Sequence, residues 1–138
     1  MTAVHHQVRV RCSRERAFRL FTRKVDAWWP GGHRTLGDST MSLEPEGLLV
    51  ERRGDEERVW GQVLTWQEPE LLELSWCMGG PPTHVRITFT EDEQGTLVVV
   101  DHHPGPTGVE SWPRASVRYR AGWTALFAAL EEHLTQES

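Results

Sequence analysis

The residues best equipped for chemistry in this chain are its histidines, and their spacing excludes much of what histidines do. His102 and His103 close a β-prone run beside Asp101. Imidazole titrates near neutrality, so either ring can be read as a general base or a metal ligand. A metal site needs three or four converging ligands, and His33, His84, His102 and His103 show neither HxH nor HExxH spacing. Neighbouring strand residues point to opposite faces, so His102 and His103 cannot both enter one pocket. His102 is carried forward as a polar group of a pocket, against the plainer reading of a structural or surface histidine. The other nucleophile patterns fail. Ser13 reads as a helix cap, Ser75 alternates outward on a strand, and neither sits in GxSxG. Cys12 and Cys77 stand alone without a CxxC and read as two buried thiols of a cytosolic protein. Gly31-Gly32 and Gly79-Gly80 lack the form of a phosphate cradle. No catalytic motif, metal site or cofactor site is expected, and whether the chain is an enzyme stays open.

The second unusual feature is aromatic. Trp28, Trp29, Trp60, Trp66, Trp76, Trp112 and Trp123 are seven tryptophans in 138 residues. Indole is bulky and amphipathic, and its N–H needs a partner when buried. Such a domain either has a thick core or lines a cavity with aromatic surface. Ligand pockets are mostly apolar with a few orienting polar groups. The candidate ligand-binding set is therefore Trp29, Trp60, Leu74, Trp76, Ile87, His102, Tyr119, Trp123 and Phe127, with a solid core as the competing reading. Trp28 and Trp29 are neighbours, so one is expected in the core and the other at the pocket mouth. Arg120 lies close in helical angle to Trp123 and can be read as a partner for an anionic ligand head, against a plain surface arginine.

Composition bounds the rest. Fifteen Lys+Arg against twenty Asp+Glu give a net charge of −5, with 25% charged and 38% apolar residues. The length suits one domain of about 100–200 residues, here taken as 1–138. A mildly acidic chain without a basic block is a poor nucleic-acid binder. No run approaches the roughly 18–20 apolar residues of a membrane helix, and Met1-Thr2-Ala3-Val4-His5-His6-Gln7 has no secretion pattern. A cytoplasmic protein is expected. The mixed run Glu51 to Arg58 and the acidic run Glu91-Asp92-Glu93 read as solvated hairpin tips.

The elements that must position the aromatic set follow from periodicity. Val4, Val8, Val10 and Cys12 alternate with polar residues, a half-buried strand. Ser13, with Glu15 behind it, caps a helix whose apolar face is Ala17, Phe18, Leu20 and Phe21. A second short helix runs from Lys24 to Trp28 or Trp29 and stops at Pro30. Six β-rich runs follow between turn signals: 41–45, 48–51, 58–67, 71–78, 84–90 and 96–103. Leu72, Leu74 and Trp76, and then Val85, Ile87 and Phe89, mark two inward faces. Around Trp60 both parities carry apolar residues, so its facing depends on register. A long helix over about 114–135, on the order of 30 Å at 1.5 Å per residue, presents Tyr119, Trp123, Leu126, Phe127, Leu130 and Leu134 as one stripe. Its cap is Ser111 or Thr107, with Ser111 favoured by Pro113. A curved antiparallel sheet must bury its apolar face on that helix.

This ordered set resembles a known family. It comprises Val8-x-Val10, Ser13-x-Glu15-x-Ala17-Phe18-x-x-Phe21-Thr22, Asp26-x-Trp28-Trp29-Pro30, Trp60-Gly61-x-Val63, Glu68-Pro69, Leu72-x-Leu74-x-Trp76, Thr83-x-Val85-x-Ile87-x-Phe89, Gly95-Thr96-x-Val98-x-Val100 and Gly122-Trp123-x-x-Leu126-x-x-x-Leu130. The chain is similar to the activator of heat-shock-protein-90 ATPase homologues, in the SRPBCC (START-like, Bet-v-1-like) superfamily. The resemblance implies an α+β helix-grip fold: a curved antiparallel sheet of six or seven strands around a long C-terminal helix, with two short helices after the first strand. It implies no shared catalytic residue. The leading expectation is a small hydrophobic or aromatic ligand bound between sheet and helix. A cyclase-, aromatase- or hydrolase-like enzyme on the same cavity comes second. A chaperone-activating module comes last, because chaperone activators of this family carry a further N-terminal domain. The sequence leaves monomer and homodimer both open.

Overall fold

The computed structural model describes residues 3–77, 82–105, 110 and 112–137. Strand β1 (Val4–Val10) is followed by helices α1 (Arg14–Phe21) and α2 (Val25–Trp28). Strands β2 (Thr40–Leu43), β3 (Leu48–Arg53), β4 (Glu56–Gln67), β5 (Leu71–Trp76), β6 (Thr83–Asp92) and β7 (Gly95–His103) come next, and α3 (Trp112–Glu137) ends the chain. The strands form one antiparallel sheet in the order β1-β7-β6-β5-β4-β3-β2. This is the helix-grip arrangement that the periodicity and the family resemblance point to.

Local chemistry explains the boundaries. The Ser13 side chain accepts from Arg16 N at 3.2 Å and starts α1. The α1 face that turns inward is Ala17, Phe18, Leu20 and Phe21, all buried. Trp29 leaves the α region with ψ 120°, as a residue before proline must. A single 3-10 turn over Gly31–His33 then carries the chain on, an element the sequence reading ends as a break. Helix α3 begins two residues before the expected 114, and Pro113 is its second residue. The cap candidates Ser111 and Thr107 lie outside the described residues.

The inward faces of β5 and β6 match expectation, with Leu72, Leu74, Trp76, Val85, Ile87 and Phe89 all buried. Strand β4 departs from simple alternation. Its pairing slips twice, between Leu49 and Val50 on the β3 side and between Val63 and Thr65 on the β5 side. Each slip is a bulge, two residues on β4 set against one on the partner. The first brings Trp60 to the inner face although Gly61, not Trp60, is paired with Trp76. The second puts Leu64 outside, 54% exposed. Mixed apolar parity in this strand is thus the signature of its bulges.

Gly61 makes that arrangement possible. A Cβ at position 61 would lie 2.1 Å from the Ser75 carbonyl oxygen. Gly61→Ala must therefore separate β4 from β5, and we expect a loss of about 2–3 kcal/mol, the upper part of the range of overpacking costs. Urea denaturation checks it, and a midpoint equal to wild type would show that the bulge tolerates a side chain.

The hairpin tip 52–58 is exposed and carries an Arg52–Glu57 pair at 2.9 Å. Glu51 departs from the expectation for that run, because it is completely buried. The expected burial of both thiols also fails: Cys77, just past the end of β5, is exposed and Cys12 is only half-buried.

Candidate ligand cavity

Between the sheet and α3 lies a cavity of about 250 Å³. Helix α3 supplies Arg118, Gly122 and Leu126, one turn apart along one row, and Tyr119 and Trp123 from the adjacent row. Strand β4 contributes Trp60 and β5 contributes Trp76, while Trp29 and His33 come from the segment after α2. A larger groove of about 1020 Å³ runs between Arg9–Ser13 and the Glu91–Gly95 turn. It is open to solvent and built from exposed charges that already pair, as Arg9 does with Asp92 at 2.6 Å.

The cavity's indoles pack against one another. Trp29 meets Trp60 edge-on at 5.3 Å, Trp60 meets Trp76 at 5.8 Å, and Trp76 meets Trp123 at 5.3 Å between ring centroids. The N–H groups of Trp29, Trp60 and Trp123 are turned into the protein. Trp29 Nε1 donates to the His33 carbonyl at 2.9 Å, Trp60 Nε1 to Glu51 Oε1 at 3.1 Å and Trp123 Nε1 to His102 Nδ1 at 3.0 Å. With those dipoles spent on protein acceptors, these rings have carbon edges and π faces left to offer a guest. The Trp28 N–H also bonds inward, to the Leu20 carbonyl at 2.7 Å. Of the neighbouring pair, Trp28 is core and Trp29 is wall.

Two charged side chains set the wall. Arg34 donates to the Asp26 carboxylate (2.7 Å), the Ser39 carbonyl (2.6 Å) and the Trp29 carbonyl (2.8 Å). The Asp26 carboxylate also accepts from Met41 N at 2.8 Å. Burial pushes the Asp26 pKa up, but these bonds from Met41 and Arg34 outweigh it and leave it below its usual value. Glu51 accepts from Thr35 N (3.0 Å), Thr35 Oγ1 (2.8 Å), Leu36 N (2.8 Å), Ser39 Oγ (2.6 Å) and Trp60 Nε1 (3.1 Å). Burial opposes its charge, yet the bonds from Ser39, Leu36, Thr35 and Trp60 hold the carboxyl down at about 2. Together the two residues pin the 34–39 loop to the sheet and fix the Trp60 ring.

His102 lies behind this wall. Its ring is fully buried and stacks on Tyr119 at 4.1 Å. An indole nitrogen can only donate, so Nδ1 accepts from Trp123, and the network assigns the proton to Nε2. Nε2 donates to Thr83 Oγ1 at 2.7 Å. Burial, then the charges of His103 and His84, push the His102 pKa down to about 3. It is a neutral strut for Trp123 with both nitrogens engaged, which leaves no nitrogen for acid–base work.

A family model described as activator of Hsp90 ATPase homolog 1-like protein matches residues 11–135. The chain belongs to this family. No curated protein matches the sequence. Among solved structures, protein MLL2253 from Mesorhizobium loti superposes with a TM-score of 0.73 at 16% identity, covering 99% of this chain and 98% of that one. The Aha1 dimer from Colwellia psychrerythraea gives 0.67 at 14% identity, with 97% and 96% coverage. DynU16, described as a protein of the dynemicin biosynthetic locus, gives 0.66 at 23% identity. All of this chain, but only 49% of DynU16, is covered. At these identities the likeness shows the fold. Among the described residues no helix is long and apolar enough to cross a membrane, and no three His, Cys, Asp or Glu side chains form a metal-holding group.

In this Hsp90-ATPase-activator-homologue-like chain, five of the nine candidate residues meet at the cavity: Trp29, Trp60, Trp76, Tyr119 and Trp123. Leu74, Ile87, His102 and Phe127 do not line it. The first two belong to the buried inner face of the sheet away from the cavity wall, Phe127 packs towards Phe21 at 6.5 Å, and His102 is screened by Tyr119 and Trp123. The arginine on the wall is Arg118 and not Arg120, because the row that faces the cavity passes through 118, 122 and 126. His33, Gly122 and Leu126 are further additions. Gly122 was legible in principle as a residue one turn from both Arg118 and Leu126. His33 had no periodic signal, since it sits in an irregular segment.

Proposed function

We propose that this protein binds a small apolar or aromatic molecule in the cavity between the sheet and α3. The observation that carries the reading is the orientation of the indoles: the Trp29, Trp60 and Trp123 N–H groups bond to protein acceptors. The carbon surface turned to the cavity gains from desolvation by an apolar guest, at roughly 25 cal/mol per Å² before ordering costs. The volume falls below the about 300–1,000 Å³ of drug-sized pockets, which favours a guest of one or two rings. Catalysis through His102 draws no support from its geometry. The chaperone-activating reading rests on the family description alone.

The test is a titration with naphthalene, followed by tryptophan fluorescence and by melting. Trp29, Trp60, Trp76 and Trp123 surround the guest, so emission should change saturably. A guest at a hundredfold its Kd should stabilise the fold by about 2.7 kcal/mol. Unchanged emission and an unchanged Tm at saturating naphthalene would refute the reading. Native mass spectrometry of freshly purified protein then identifies any natural occupant by mass.

A further inference from the structure

We propose that Gly122 is the specificity-determining residue of the cavity, and that the bare α3 backbone it leaves selects a planar aromatic guest of one or two rings lying face-on to the helix. The proposal rests on the ligand-binding reading above and adds what class of molecule the site accepts.

Glycine is a poor helix former, second only to proline, and Gly122 lies well inside the 26-residue α3. Folds use glycine for two main reasons, and neither holds here. One is a left-handed backbone, found at Gly37, Gly54, Gly95 and Gly105 but not at Gly122. The other is close approach of a neighbouring chain. At Gly61 and Gly95 a Cβ would meet a backbone oxygen at 2.1 Å, whereas at Gly122 nothing lies within 4 Å of the position a Cβ would take. Neither folding nor packing therefore requires glycine at this position. The open space beside it belongs to the cavity, which Gly122 lines opposite Trp29, Trp60 and Trp76.

The shape follows from the residue type. The helix surface at 122 is peptide backbone without a side chain, flanked one turn away by Arg118 and Leu126 and beside it by Tyr119 and Trp123. Indole faces and edges form the opposite side. A cavity with bare helix backbone on one side and indole faces and edges around it accepts a planar π system, whose quadrupole pairs with those rings. A puckered saturated bicycle of the same carbon count is thicker. If the cavity were a uniform greasy void, the saturated compound would bind at least as well, because it removes at least as much apolar area from water.

Affinities for benzene, naphthalene and decahydronaphthalene decide the matter, measured by calorimetry and tryptophan emission on wild type, Gly122→Ala and Gly122→Leu. One misplaced methyl-sized group in an apolar pocket is worth about tenfold or more in affinity. Wild type should therefore prefer naphthalene to decahydronaphthalene by about tenfold or more. Gly122→Ala should weaken naphthalene by a similar factor while benzene keeps its affinity to within about threefold. Gly122→Leu should bind none of the three. Both variants should melt at or above the wild-type temperature, because each is a better helix former.

Unchanged naphthalene affinity in Gly122→Ala overturns the proposal, as does a wild-type preference for decahydronaphthalene. A variant melting below wild type also overturns it, by revealing a structural need for glycine. If wild type binds naphthalene and any of these results appears, the ligand-binding reading survives and the Gly122 proposal falls. If wild type binds none of the three compounds, both fall together.

Discussion

Glu51→Ala should lower the stability of this protein by about 3–5 kcal/mol, the cost of breaking a buried charged network by removing one partner. The loss is not that of a surface carboxylate. Glu51 is fully buried and accepts five hydrogen bonds, three of them from backbone N–H or hydroxyl groups of the Thr35–Leu36 corner. The others come from Ser39 Oγ and the indole of Trp60. Deleting the side chain leaves these donors facing a hole, and each buried donor left unmatched costs about 1–3 kcal/mol. Glu51→Gln keeps one acceptor oxygen and should lose about half as much, since its amide nitrogen would face other donors. Urea denaturation at neutral pH measures both. A loss below about 1 kcal/mol for the alanine variant would show that the network contributes no more than an exposed pair.

The same residue gives an acid signature. Its folded pKa is held down at about 2, against an ordinary 4.5. The folded state therefore keeps the carboxylate where the unfolded chain has begun to take up protons. Stability from Glu51 is complete above pH 4.5 and is lost as pH falls from there towards 2. The 34–39 loop and the Trp60 ring depend on this carboxylate, so Glu51→Ala should weaken naphthalene binding even where the variant remains folded.

How far such features could be read from the chain depends on what periodicity records. Alternation reports side chains against a sheet face, so Leu72, Leu74 and Trp76 and the Val85–Phe89 set were legible without coordinates. The helical stripe from Tyr119 to Leu134 was legible for the same reason, and the residue order of the strands and helices carried the family. Glu51 was not. It stands at the edge of a run of charges whose other members are exposed, and what buries it is a loop 12–16 residues earlier in the chain that aims donors at one point. No local pattern encodes that convergence. Strand β4 misled in a different way, because two bulges change the side-chain parity within 12 residues and only the pairing partners reveal where. On α3 the stripe located the buried side, but the cavity lies beside it, on the row through Arg118, Gly122 and Leu126. A glycine contributes nothing to an apolar stripe, which is why the residue that shapes the cavity left so faint a trace. His102 was seen as a polar group near the pocket. Its burial behind Tyr119 follows from the inward parity of β7, where Val98 and Val100 are also buried.

That parity leads to the second large effect, which His102→Leu should produce. The substitution preserves bulk near the Tyr119 ring but removes an acceptor and a donor. Trp123 Nε1 loses its acceptor at His102 Nδ1, while Thr83 Oγ1 keeps the Trp76 carbonyl at 3.4 Å. One orphaned indole donor and the lost ring stacking should together lower stability by about 2–4 kcal/mol above pH 7. The pH dependence separates this network from simple packing. In the folded wild type His102 stays neutral down to about 3, while the unfolded chain protonates it near 6.5. Between those values the unfolded state binds the extra proton, so wild-type stability rises with pH and falls in acid, by about 1.4 kcal/mol per pH unit once the unfolded imidazole is fully charged. The leucine variant has no such term. Its deficit relative to wild type should therefore shrink as pH falls from 6.5 to about 5, a range above the Glu51 window. The remaining histidines are shared by both proteins and cancel in the difference. Parallel stability curves for the two proteins across that range would mean that His102 takes up its proton in the folded state, and that the Trp123–His102–Thr83 relay is not what holds this wall of the cavity.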